Sequence, residues 1–423
     1  MILSLFLGNR AVNLGITSQY LDLQNKFQEE DPILHQFDHN KRPNSLYFGN
    51  DLDLSKSLNM INMNSLKQET QEVPIINEQE KDEPQIIKLT QKYLHEMRID
   101  QNQIYNYKKN FENENDLFAI NFDTTQVELF QDNIQTQLEK ADQCDGFELI
   151  VDCETCYGEI GLKVVDSLND LQGNSKSPKL VISIVDPCNN IKNRIINRSL
   201  TLTQYQQNST LLVPLELKDM QIHLNQIELN QQYSFLINNI ICSYKCKQEY
   251  VSMHEFCNRI TSAPQNNIFN ILASIPSIQD KPDDSILNYK QIKNLDKFYI
   301  SQDIINLNSE KESFGESYFL RGISPIPNER NLKSYGVDIR ILDYIYQVPM
   351  LYNYIDVLPF HSCIFSNESY KFTLLKLYNE LNSIKKMGFW QYEKQSLEDE
   401  QQLKYDLFQL IENYGGVDEE EQL

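Results

Sequence analysis

The chain opens on an apolar run broken only by a serine, Met1-Ile-Leu-Ser-Leu-Phe-Leu7. It stops at Gly8-Asn9-Arg10, reaches a second glycine at Gly15, and continues as a helix-like stretch through Tyr20, Leu21 and Leu23. A short apolar run bounded by a glycine turn predicts a strand, and apolar positions at helical spacing predict a helix. The opening therefore predicts strand, glycine loop over 8–15, helix. The same alternation recurs in the middle of the chain. Thr125-x-x-Glu128 has the spacing of a capping box, in which each side chain satisfies an orphan backbone amide. Behind it Val127, Phe130, Ile134, Leu138 and Ala141 fall on one helical stripe. Phe147–Val151 is a strand-length run. Ile160, Val164, Val165, Leu168 and Leu171 form the next helical stripe, and Lys179–Val185 forms a further strand ending at Asp186-Pro187. Strands alternating with helices predict an α/β fold around a parallel sheet. Ligands of such sheets sit outside the carboxyl ends of the strands, which puts the 8–15 and 152–159 segments on one rim.

Further along, Leu211–Leu217 predicts another strand and 233–245 a long apolar helix leading out of a first domain over residues 1–245. Within that domain, 64–84 is rich in Asn, Gln, Glu and Lys and predicts a polar surface loop. A helix is expected near 86–97. Residues 246–365 are mixed and predict a second α/β domain whose aromatics (Tyr344, Tyr346, Tyr352, Tyr354, Phe360 and Phe365) belong to its core. Residues 366–416 predict C-terminal helices with two stripes: Tyr370, Leu374, Leu377, Tyr378, Leu381, and Leu403, Leu407, Leu410, Ile411, Tyr414. Ser396 is placed to cap the last helix and Gly415 to end it. Residues 417–423 form an acidic tail.

The 423 residues carry a formal net charge of −22. That field repels nucleic acid and anionic membrane surfaces, and no dense Lys/Arg cluster opposes it. Contact with a membrane-bound organelle is therefore expected through a protein partner. No apolar stretch approaches the roughly 18 residues of a membrane helix. The opening lacks the basic start and small-residue cleavage site of a secretory signal, so the expected compartment is the cytosol, with its eight cysteines reduced. Cys153-x-x-Cys156 and Cys242-x3-Cys246 invite a zinc reading, but no second tight pair accompanies either on a turn, and buried inert thiols are the preferred reading. The six histidines form no zincin pattern; His35 and His39 alone have i, i+4 spacing, in a Pro- and Asn-rich stretch.

Four segments in order resemble the Misato family, distant relatives of tubulin and FtsZ. Leu5-Phe-Leu-Gly8 with Asn13-Leu-Gly15 resembles the family's opening. Cys144-Asp-Gly-Phe147 resembles the stretch leading into the loop that holds phosphates in tubulin. Ser209-Thr-Leu-Leu-Val-Pro214-Leu resembles a Ser-Ser-Leu-Phe-Val-Pro-Leu element, and Asn267-Ile268 followed by Leu272 and Pro276 a later one. The resemblance implies a tubulin/FtsZ-like fold: a Rossmann-type nucleotide-binding-type domain, a second α/β domain and C-terminal helices. It implies a function in mitochondrial distribution, morphology and inheritance at the outer surface of the organelle. Tubulin, or a mitochondrial outer-membrane protein, is the partner it implies.

If a nucleotide binds, the resemblance assigns it to Gly8, Asn9, Arg10, Asn13, Gly15, Thr155, Gly158 and Gly161. The phosphate loop departs from the family pattern, however. Tubulin-type loops use closely spaced glycines because a Cβ blocks the approach of phosphate to backbone amides. Here the run is Glu154-Thr-Cys-Tyr-Gly158-Glu-Ile-Gly161, with Cys156 and Glu159 at glycine positions, and Val12 where the family places an Asn. Asp152, Glu154 and Glu159 add negative charge; one such charge ~4 Å from a phosphate costs on the order of 1 kcal/mol in water and several when partly buried. The expectation is a non-enzymatic protein without a cofactor. A GTP-binding switch or polymer-forming GTPase is one alternative, and a tubulin-folding or microtubule-associated partner another. Glu159 is expected in the first turn of the helix after the loop, where a carboxylate meets the helix dipole favourably, as an internal stand-in for the missing anion.

Overall fold

Apolar runs become strands in this chain where helices cover both of their faces. The computed structural model describes residues 2–24, 45–49, 103–106, 124–140, 144–172, 177–185, 192–216, part of 233–244, 252–261, 264–274, 313–321, 345–348, 360–384 except 369, and 397–416. The expected loop at 64–84, the helix near 86–97, the acidic tail, the His35–His39 pair, the Cys242–Cys246 pair and the cap at Ser396 lie outside the described residues or have side chains that do.

Six strands form one parallel sheet: β1 (Ile2–Leu7), β2 (Ser45–Gly49), β3 (Ile104–Asn106), β4 (Gly146–Asp152), β5 (Lys179–Val185) and β6 (Leu211–Glu216), in the order β3-β2-β1-β4-β5-β6. This is the strand order of a Rossmann-type α/β fold. β4, β5 and β6 match the expected runs to within a residue at each end. β2 and β3 carried no prediction. The sheet's helices are α1 (Asn9–Gln24), α2 (Thr124–Glu139), α3 (Tyr157–Gln172) and α4 (Lys192–Asn208), together with the helical residues between 233 and 244. Because side chains alternate along a strand, Leu3, Leu5, Leu7, Phe147, Leu149 and Val151 face α2, α3 and α4. Ile2, Phe6, Ile150 and Ile182 face α1 and the 233–244 residues. Parallel strands covered on both sides read as continuous apolar runs, which explains their legibility. The exception is Glu148, 2% exposed in the middle of β4. Ser4 Oγ and Tyr244 Oη both donate to its side-chain oxygens at 2.7 Å, so the polar end is hydrogen-bonded inside the core.

Helix α2 begins at Thr124, one residue before the expected cap position. On α3, Ile160, Val164, Val165 and Leu168 are buried as expected, but Leu171 is 43% exposed. The residues after position 252 form α5 (Met253–Ile260), which buries Met253, Phe256, Cys257 and Ile260 in the same core as β5 and β6. A four-stranded sheet follows, in the order β7-β10-β8-β9: β7 (Asn270–Ser274), β8 (Ser313–Arg321), β9 (Ile345–Val348) and β10 (Phe360–Asn367). β10 runs antiparallel to β7 and β8, and β9 is parallel to β8. One strap joins the two sheets. Leu212 N–H of β6 donates to Asn267 O at 2.9 Å, and Phe269 N–H donates to Leu212 O at 2.8 Å, immediately before β7 begins.

The last two helices, α6 (Tyr370–Ser383) and α7 (Leu397–Asn413), pack on each other and on α4. Tyr370, Leu374, Leu377 and Leu381 of one expected stripe and Leu403, Leu407, Leu410, Ile411 and Tyr414 of the other are buried. The chain leaves α7 through Gly415 at φ +110°. The wholly buried Tyr414 hydroxyl accepts from Ile268 N–H at 3.0 Å and donates to Ile268 O at 3.1 Å. These are the two strap groups that point away from β6, so the final helix completes the strap.

Candidate functional site

The strand order reverses between β1 and β4, and the crevice outside the carboxyl ends of these two strands is where an open α/β sheet takes its ligand. Two turns meet there. The first is Gly8, between β1 and α1. Its φ of +105° is in the range that favours glycine. Its N–H donates to Phe48 O at 2.8 Å, and its carbonyl accepts from Val12 N–H at 2.9 Å to open α1. A Cβ on Gly8 would stand 2.5 Å from Asp152 Cβ and 3.1 Å from Tyr157 Cδ2. Only a glycine lets the two turns close on each other.

The second turn, Cys153–Cys156, links β4 to α3. Thr155 organises it: its Oγ1 donates to Asp152 O at 2.8 Å and accepts from Tyr157 N–H at 3.3 Å. This is the N-cap geometry that satisfies a first-turn amide. Asp152, Cys153, Glu154, Thr155, Cys156 and Tyr157 are all buried. The Tyr157 ring lies against Gly8 and packs edge-on against Phe48, 6.3 Å between centroids.

Helix α4 holds this turn from the side. Arg194, Asn197, Thr201 and Tyr205 follow one another at spacings of three and four residues, which places them on one helical stripe. Asn197 Nδ2 donates to Glu154 O at 2.9 Å, Thr201 Oγ1 to Cys153 O at 3.0 Å and Tyr205 Oη to Gly158 O at 3.0 Å. Arg194 Nη1 stands 3.7 Å from Glu154 Oε2, with both side chains more than nine-tenths buried. Two carbonyls of the turn and one of the first turn of α3 are thus paired with α4 side chains. None of the four was identified from the sequence; a polar stripe within 192–208 was the available signal.

The expected site residues divide. Gly8, Asn9, Arg10, Thr155 and Gly158 lie at the rim. The segment expected as a loop from Gly8 to Gly15 is helical from Asn9 onward. Asn13 therefore sits one turn into α1, on the same side as Asn9, and Gly15 lies deeper still, where a Cβ would overlap the Phe6 ring. Gly161 is inside α3, and a Cβ there would overlap Tyr205 Oη. Gly15 and Gly161 are small so that side chains of this chain can pack over them.

The turn is buried and bears two carboxyl groups, Asp152 and Glu154. Burial first, and then the Glu154 and Asp152 carboxylates, push the Cys153 thiol well above its ordinary value. Its Sγ donates to Ile184 O at 3.0 Å. A thiol so protonated is a poor nucleophile and a poor metal ligand. Among the described residues, no group of three or more His, Cys, Asp or Glu stands where it could hold a metal ion. Glu159 does fall in the first turn of α3, 3.3 Å from Lys163 on the same helix. Burial nevertheless raises its carboxyl above the usual range, with Lys163 pulling it part of the way back. Its expected role as a stabilising stand-in anion is therefore not the one the environment favours.

No helix among the described residues is long and apolar enough to cross a membrane. Compared with known families and curated proteins, the chain matches no family model and no individual sequence.

Proposed function

We propose that the chain is a tubulin/FtsZ-like protein of the Misato kind that acts without catalysis in mitochondrial distribution, morphology and inheritance, working through protein partners at the outer surface of the organelle. The observation that carries the non-catalytic part is the filled turn at the switch point. Where a phosphate-binding loop presents bare amides, this turn is packed with Glu154, Thr155, Cys156 and Tyr157, and the Thr155, Tyr157 and Gly158 amides donate to Asp152 O, Thr155 Oγ1 and Thr155 O. Phosphoryl transfer also needs a metal, a positioned water and a source of positive charge acting together. A turn that brings buried carboxylates supplies the opposite charge.

The tubulin-like part is supported by the strand order and by where the resembling segments fall. The opening segment supplies β1 and Gly8. The 144–147 segment leads into β4. The 209–215 and 267–268 segments touch: Asn267 Nδ2 donates to Ser209 O at 2.9 Å, and Ile268 bridges to Leu212. Segments that carry the resemblance thus form one connected framework around the sheet. Depletion of the protein followed by imaging of mitochondria tests the role. Fragmented or unevenly partitioned mitochondria are expected; normal networks and normal inheritance would overturn it.

A GTP-binding reading draws on Gly8, whose positive φ and switch-point position are those of a dinucleotide-type crevice. Saturating GTP with magnesium would then stabilise the fold by a few kcal/mol, about 2.7 at 100-fold the dissociation constant. An unmoved melting curve rules this reading out.

A further inference from the structure

The joint between the two sheets is made largely by polar side chains. Asn266, Asn267, Ser366 and Tyr414 are all buried there. Asn267 Nδ2 donates to Gln206 O and to Ser209 O, both at 2.9 Å, which ties the strap to the end of α4. Asn266 Nδ2 donates to Asn413 O at the end of α7 at 2.7 Å, and Asn266 O accepts from Ser366 Oγ of β10 at 3.1 Å. Tyr414 Oη pairs both Ile268 groups, and its ring packs edge-on against Phe314 of β8, 5.8 Å between centroids. Hydrogen bonds weaken steeply with distance and angle, so a small displacement of the strap loses the set together. The apolar contacts beside them, from Phe269, Ile271 and Ile364 to the core around α5, are not directional. None of these polar bonds reaches β1, β4 or β5. Those strands are covered by α1–α4 and the 233–244 residues.

We propose that this buried polar cluster is a latch. Engaged, it docks the four-stranded sheet on the edge of the parallel one. Released, the strap and the second sheet come away as a unit, while the parallel sheet and its crevice stay folded. Openings of this kind cost less than unfolding the chain and follow the boundaries of supersecondary units. The strap meets β6 through one bridge, Leu212 to Ile268, so release also uncovers that part of the β6 edge. The latch makes the placement of the second sheet a two-state property, set at the last turn of α7. It stands independently of what the crevice binds and of the cellular role.

The test is hydrogen exchange of the full chain, read by mass spectrometry, over a urea series below the unfolding transition. Without urea, peptides covering 264–274 and 360–367 should exchange at least ~10-fold faster than those covering 146–152 and 179–185. They should also respond less to urea, because the opening exposes less surface than global unfolding does. Two substitutions then separate the states. Tyr414→Phe breaks a bond made only when the latch is engaged, so exchange should rise in both pairs of peptides. Tyr205→Phe breaks a bond between α4 and Gly158 that the open state keeps. It should therefore accelerate only 146–152 and 179–185, by about 5- to 30-fold. Exchange of the second sheet at the rate and urea dependence of the parallel sheet would overturn the proposal. So would equal acceleration of both sheets by Tyr205→Phe, or no acceleration of 264–274 and 360–367 by Tyr414→Phe. Should either variant fail to fold, the urea series on the native chain decides alone.

Discussion

Gly161 and Tyr205 should be energetically inseparable. Gly161 lies within α3, where alanine would ordinarily gain about 1 kcal/mol over glycine. Here an added Cβ would overlap Tyr205 Oη. That hydroxyl cannot simply step aside, because it is wholly buried and bonded to Gly158 O at 3.0 Å. Admitting the methyl costs overpacking of about 1–3 kcal/mol and strands the buried Tyr205 hydroxyl at about 1–3 kcal/mol. Gly161→Ala should therefore destabilise the native background by a net ~2–4 kcal/mol. Tyr205→Phe alone costs only the lost hydrogen bond, about 1–2 kcal/mol. In that background the nearest atoms to the new Cβ are Val151 Cγ1 at 3.2 Å and Leu7 Cδ1 at 3.4 Å. Both can yield a few tenths of an ångström. Gly161→Ala should then be neutral, or stabilising by up to ~1 kcal/mol. Urea denaturation of the native chain, both single variants and the double variant measures the coupling. A value near 2–4 kcal/mol is expected, well beyond the ~0.5 kcal/mol of independent sites. A coupling below that limit would refute the assignment of Gly161 as a packing glycine and return it to the candidate phosphate-binding set.

Two further outcomes follow from the same packing. Tyr414→Phe removes the hydroxyl that pairs both Ile268 N–H and Ile268 O, so it should cost on the order of 2–4 kcal/mol, since two buried backbone groups are stranded at once; an unchanged denaturation midpoint would show that the strap finds other partners. Glu159 has a raised carboxyl, with burial as the main cause, so the folded state holds its proton more firmly than the unfolded one. Its contribution to stability is present at low pH and is lost as pH rises through the folded value. Glu159→Gln should accordingly melt above the native chain at neutral pH and level with it below about pH 4; a variant less stable at neutral pH would mean that the Lys163 pair and the helix dipole outweigh burial.

What the sequence by itself determined was the parallel α/β core. β4, β5 and β6 are mostly apolar because helices cover both faces, and a run of that kind bounded by Gly, Pro or Asp is visible without any knowledge of partners. The C-terminal stripes ending at Leu381 and Tyr414 were legible for a related reason: a helix buried on one side repeats that fact every three or four residues. β2 was not legible, because Ser45–Gly49 is a short run set among polar residues. The roles within the site were decided only in three dimensions. Gly15 and Gly161 look like phosphate-loop glycines in a linear reading. In the fold they lie against Phe6 and Tyr205, the latter 44 positions further along the sequence. Between Glu154 and Glu159, the sequence favoured Glu159 because helix position can be counted locally. The guanidinium that makes Glu154 the buried anion comes from a helix 40 residues on, and no local pattern reports which face of that helix turns toward the turn. Local periodicity fixes which side of an element is buried; only packing fixes what it is buried against.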